Sequence, residues 1–223
     1  SMASADFIVD GVPIERLAAV KQLLRPWLLD SRDEQLALLV FGAQAYVQMP
    51  FSADRELFVE LLDDSEIGTA GDKTMIGDAI GLAVALFEGR PPLAEGVARR
   101  LLLLTDGVDS GSLVPPLEAA KVAASSGVVI YPVALGDPDR DGDYPVALEL
   151  LEAVAEITAG ELLQAADGEQ LATVYARLDG IAPAQLHRHW QPRRIALYPY
   201  LLLLATLLLW SQSGLAGALR RGG

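Results

Sequence analysis

Three uninterrupted apolar runs constrain this 223-residue chain more than any other feature. They are Leu36-Ala37-Leu38-Leu39-Val40-Phe41, then Leu101-Leu102-Leu103-Leu104, then the stretch from Val128 to Leu135. A strand wetted on one face alternates apolar with polar residues, whereas a strand covered on both faces reads as a continuous apolar run. The runs therefore predict buried strands over 36–41, 99–105 and 128–135. A turn at Gly42-Ala43-Gln44 leads to a hairpin strand over 45–49, and a last short strand covers 162–165. Between them, helical spacing of apolar residues predicts helices over 14–29, 54–62, 74–88, 115–126, 145–158 and 169–181. Pro26 predicts a kink or an early stop in the first of these. Pro115 and Gly127 bracket the fourth as helix boundaries do. Such alternation implies right-handed crossovers and a doubly wound α/β domain, with a mostly parallel sheet and the hairpin strand as its antiparallel edge.

Charge and hydropathy divide the chain unevenly. Thirty acidic against 17 basic residues give a net charge of −13, yet 52% of the residues are hydrophobic. The apolar excess is concentrated in residues 195–219, which contain no Asp, Glu, Lys or Arg. With Tyr198, Tyr200 and Trp210 near its ends, this segment predicts a transmembrane helix. The organisation expected is a domain over 1–182, a juxtamembrane linker over 183–194 and a span over 195–219. His187 and His189, the only histidines, stand among Arg188, Arg193 and Arg194, a setting for lipid headgroup contact. The acidic balance argues against a nucleic-acid partner. The absence of cysteine excludes disulfides, thiolate nucleophiles and iron–sulfur clusters. Residues 1–6 lack the basic and apolar regions of a signal peptide.

An open parallel sheet binds ligands beyond the carboxyl ends of its strands. Two segments point there: Thr105-Asp106-Gly107-Val108-Asp109-Ser110-Gly111 and Gly71-Asp72-Lys73-Thr74-Met75-Ile76-Gly77-Asp78. A carboxylate and a hydroxyl from neighbouring strand ends suit a hard divalent cation. The bland alternatives are Thr74 as a helix N-cap and Asp106 as a turn residue. Asp109 reads as a surface turn residue in preference to a supporting group. The loop over 137–143 begins like a calcium-binding loop, but Leu148 stands where the bidentate Glu belongs, so a solvated loop is expected.

The segments LALLVFGAQAYVQMPFSADRELFVELLDD, GDKTMIGDAIGLAVAL and LLLLTDGVDSG resemble von Willebrand factor A (VWA) domains, most closely those of the membrane-anchored bacterial Bat (aerotolerance) proteins. The resemblance implies a metal-ion-dependent adhesion site (MIDAS) built from an Asp-x-Ser-x-Ser loop, a Thr and an Asp. Thr74 and Asp106 match the second and third elements, and Ser1 matches the last serine of the first. By that alignment the first Asp and Ser, and the central strand bearing them, are absent, so the chain is expected to be a piece of a longer protein. Lys73 stands where a small residue is usual, either pairing with Asp72 or weakening the site for a cation. The resemblance implies Mg²⁺ or Mn²⁺ as the ion, held weakly or not at all by these residues alone. It also implies a protein-interaction module on the periplasmic side of a bacterial inner membrane. Its partners would be other VWA proteins, tetratricopeptide-repeat proteins and a MoxR-class AAA+ ATPase. A metal-independent scaffold is the alternative. A metal-dependent hydrolase is disfavoured, because residues 1–182 contain no His, no Cys and no phosphate-binding glycine loop.

Overall fold

After a hairpin over residues 36–52 and a helix, helices and strands alternate from residue 76 onward. The computed structural model describes residues 2–5, 7–9, 12–30, 35–91, 99–136 and 144–181. In chain order these form β1 (Phe7–Val9), β2 (Val12–Ile14), α1 (Arg16–Asp30), β3 (Leu36–Phe41), β4 (Ala45–Ser52), α2 (Arg55–Asp63) and α3 (Ile76–Glu88). There follow β5 (Arg99–Thr105), α4 (Pro116–Ser125), β6 (Val128–Leu135), α5 (Tyr144–Ile157), β7 (Leu163–Ala165) and α6 (Gly168–Ile181). All lie in one unit, Ser1–Gln185. The linker over 183–194, the expected span over 195–219 and the acidic loop over 137–143 lie outside the described residues. Among the described residues, no helix is long and apolar enough to cross a membrane.

β5, β6 and β7 pair in parallel in that order. In β6, Val128, Ile130 and Ala134 enter one apolar cluster while Val133 and Leu135 enter a second. The two-residue period of a strand thus buries both faces, which is why this run shows no polar alternation. Helices cover each face. α1, α2 and α6 send Leu24, Leu28, Phe58, Leu62 and Leu171 into one cluster; α3, α4 and α5 send Ile76, Ile80, Ala120 and Leu151 into the other. The expected α/β architecture with a parallel sheet is therefore present.

Three local readings need correction. β1 and β2 pair as a hairpin, Phe7 opposite Ile14 and Val9 opposite Val12, which the sequence reading left out. Ile14 consequently belongs to a strand, and α1 begins at Arg16. Pro26 lies inside α1 and does not end it. Leu24 and Leu28, on either side of that proline, are both buried, so packing carries the helix past the lost backbone bond. The strand β4 is also longer than predicted and contains Pro50, which an edge strand tolerates.

β3 pairs only with β4 among the described residues, and antiparallel, so the hairpin and the parallel trio are separate sheets. Their side chains nonetheless share both clusters: Leu36, Leu38, Leu102 and Leu104 face one, Phe41 and Leu101 the other. All six residues of β3 are only half-buried, and so are Leu101, Leu102 and Leu104 of β5. Among the described residues β6 is thus paired along both edges, whereas β3 and β5 are each paired along one. Hydrogen exchange should read this directly. Amides of β6, paired on both sides, should exchange slowest, and those of β3 and β5 faster. Uniform protection across the three strands would contradict a divided sheet.

Candidate functional site

The first turn of α3 organises the carboxyl end of the sheet. A helix start leaves backbone N–H groups without intrahelical partners, and Thr74 was one reading of the residue that caps them. The cap position is instead Met75, whose side chain makes no capping bond. The donors are satisfied from across the sheet: Ile76 N–H donates to Asp109 Oδ1 (2.9 Å) and Gly77 N–H to Ser112 Oγ (2.9 Å). Thr74 is tied to the same loop through its backbone, its N–H donating to Ser110 Oγ (2.7 Å) and its carbonyl accepting from Ser110 N–H (2.9 Å). Val114 N–H donates to Asp78 Oδ1 (3.1 Å), closing the loop onto the same first turn of the helix. The approach is so close that a Cβ on Gly77 would stand 1.9 Å from Val114 O.

Asp109 is thus more than a surface turn residue. Besides Ile76, it accepts from Gly111 N–H (3.2 Å), Ser112 N–H (3.1 Å) and the Ser112 hydroxyl. Burial pushes its pKa up, but the Ser112 side chain and the backbone N–H groups of Ser112, Ile76 and Gly111 outweigh that, and the carboxyl sits below its ordinary value. A negative charge here also complements the positive end of the α3 dipole.

This clamp brings Thr74 against the turn that follows β5. Asp106 follows β5 directly, and Thr105 before it is buried, its hydroxyl 3.3 Å from both Gly107 N and Gly107 O. Gly107 faces Thr74, and a Cβ there would lie 3.2 Å from Thr74 Oγ1. The Thr74 hydroxyl therefore packs on the turn that carries Asp106. Ser1, the third predicted donor, lies outside the described residues, as do His187 and His189. Lys73 is exposed and makes no ion pair among the described residues, so the pairing with Asp72 is not formed.

A feature missed by sequence reasoning is Arg16. Its Nη1 lies 3.5 Å from Asp106 Oδ2, with the two side chains only 2% and 5% exposed. The N-terminal segment holds it in place: Arg16 N–H donates to Ser4 O (3.1 Å) and Leu17 N–H to Met2 O (3.2 Å). One signal was available. A cation at the first residue of a helix opposes the helix dipole, a local inconsistency that points to a tertiary role.

Chemically, Thr74 and Asp106 offer hard oxygen donors that fit Mg²⁺ or Mn²⁺ in kind. Among the described residues no group of three or more His, Cys, Asp or Glu could hold a metal ion, so hydroxyls have to complete any donor set. Replacing Asp109 by Ala should lower the melting temperature by roughly 4–8 °C, equivalent to about 2 kcal/mol for the stranded donors. Because the folded carboxyl is held below its unfolded pKa of about 3.9, its contribution is complete above that pH and lost as pH falls through the lower folded value. Wild type and Asp109→Ala should therefore converge in acid. A melting temperature unchanged at pH 7 would contradict the clamp.

The sequence matches the von Willebrand factor type A domain over residues 9–177. A UPF0353 protein of Mycolicibacterium paratuberculosis is 28% identical over 201 residues, covering 80% of this chain and 56% of the relative. The chain thus spans about half the length of the curated relatives it matches. An aerotolerance-related membrane protein from Bacteroides fragilis superposes with a TM-score of 0.65 at 22% identity, over 82% of this chain and 94% of that one. Proximal thread matrix protein 1 from the mussel byssus, with a zinc-occupied MIDAS motif, superposes with a TM-score of 0.57 at 16% identity, over 74% and 40%. The match over residues 9–177 covers well over half of the sequence, and the chain belongs to the von Willebrand factor type A domain family.

Proposed function

We propose that the chain is the protein-interaction module of a membrane-anchored VWA protein. In this reading Thr74, Asp106 and Ser1 help to hold a divalent cation, Mg²⁺ or Mn²⁺, with one coordination position open to a carboxylate on the partner. The observation that carries it is the packing of the Thr74 hydroxyl on the Asp106–Gly107 turn, in a loop clamped to α3. Rigidity matters, because a preorganised site does not lose binding energy to ordering the loop. Leu113, 90% exposed in the same loop, offers a partner an apolar contact beside its carboxylate. The zinc-occupied MIDAS of the mussel protein supports a divalent ion at this motif in a protein of the same fold.

The partners proposed are other VWA proteins, tetratricopeptide-repeat proteins and a MoxR-class AAA+ ATPase. Residues 195–219 would anchor the module in a bacterial inner membrane, with the VWA domain on the periplasmic side. Adhesion is favoured over catalysis because His and Cys are lacking before His187. One observation favours a second reading, a metal-independent scaffold: Asp106 already faces a buried cation, Arg16.

Calorimetric titration of the full-length gene product with Mg²⁺ and Mn²⁺ separates the two. Wild type should bind, and Asp106→Ala should bind at least tenfold more weakly. Equal affinities would defeat the metal reading. Metal binding together with capture of a purified partner that ignores EDTA would leave the scaffold.

A further inference from the structure

We infer that Arg16 is a resident cation built into the Asp106 pocket, so that a divalent ion and the Arg16 guanidinium compete for one carboxylate. The inference rests on the metal reading above and adds the residue that sets the site's affinity.

Three observations carry it. First, the pair is buried, with side-chain exposures of 2% and 5%. A charge withdrawn from water this far needs a partner. Second, the guanidinium lies in a cradle. Gly136, at the end of β6, has φ +129, and a Cβ there would stand 3.1 Å from Arg16 Cζ, Nη1 and Nη2 alike. Any side chain at 136 would crowd the guanidinium, so backbone conformation and available space at this strand end both accommodate the arginine. Third, local structure gives no reason for a cation at residue 16, because the start of α1 disfavours one. Arg16 is held there by what it meets across the fold.

The physical consequence is competition. Asp106 Oδ2 lies 3.5 Å from Arg16 Nη1, so an ion held by this carboxylate would share it with the guanidinium. The positive charge of Arg16 beside Asp106 would oppose a divalent ion held by that carboxylate. Arginine cannot step aside by losing a proton, because its guanidinium stays charged across the accessible pH range. It has either to move or to keep the site weak.

The test is Mn²⁺ calorimetry on the full-length gene product, comparing wild type with Arg16→Met, which keeps a long apolar stem and removes the charge. At least tenfold tighter binding by the variant is expected. Equal or weaker binding in a variant with wild-type circular dichroism overturns the inference and leaves the metal reading standing. Absence of binding by both proteins overturns the two together. Should Arg16→Met fail to fold, the Arg16 Nε–H resonance of wild type decides. It should shift and exchange faster on saturation with Mg²⁺, and an unchanged resonance overturns the inference.

Discussion

The clamp between the loop after β5 and the first turn of α3 is the interaction on which the functional end of the molecule depends. A helix entering the sheet face has to satisfy its first amides, and α3 carries no capping side chain of its own. Asp109 and Ser112 supply the acceptors from another strand's loop. In doing so they fix two segments more than 30 residues apart in one register. Thr74 then lies against Gly107 because its backbone is held by Ser110 and the Ile76 amide by Asp109. The absent side chains of Gly77 and Gly107 allow this proximity.

A second constraint is electrostatic. The chain is strongly acidic. The Asp106 carboxylate is faced by a buried arginine that reaches the site from the opposite layer of helices. The N-terminal segment has a defined part in this: Met2 packs against the apolar cluster under α1, and the backbone bonds of Met2 and Ser4 hold the helix start that carries Arg16. Residues before the first helix therefore contribute to the carboxyl-end site as much as the loops beyond β5.

The parts of this arrangement legible in the sequence are those with short-range causes. Leu36–Phe41 and Val128–Leu135 read as strands because burial on both faces removes alternation, and β6 matches its predicted limits residue for residue. Thr74 and Asp106 are legible as candidate donors because Asp106 follows an apolar strand and Thr74 enters a helix. The β1–β2 hairpin escaped although Asp10-Gly11 between Val9 and Val12 is a known turn dipeptide, because the strands are three residues each and too short to show a period. The true cap of α3 was illegible for another reason. Asp109 acts on a helix 33 residues earlier in the chain, and no local pattern connects them. The Arg16–Asp106 pair is longer-range still, and only the misfit between a cation and a helix start hinted at it.

The central claim is that the carboxyl ends of the strands form one site at which Asp106 is offered to a cation. Anomalous diffraction from Mn²⁺-soaked crystals of the full-length gene product tests it most directly. The account predicts a manganese peak within coordination reach of the Asp106–Thr74 junction, either through direct bonds or through one water, with Arg16 shifted from its cradle at Gly136. A peak elsewhere, or a fully occupied manganese beside an unmoved Arg16–Asp106 pair, would contradict it.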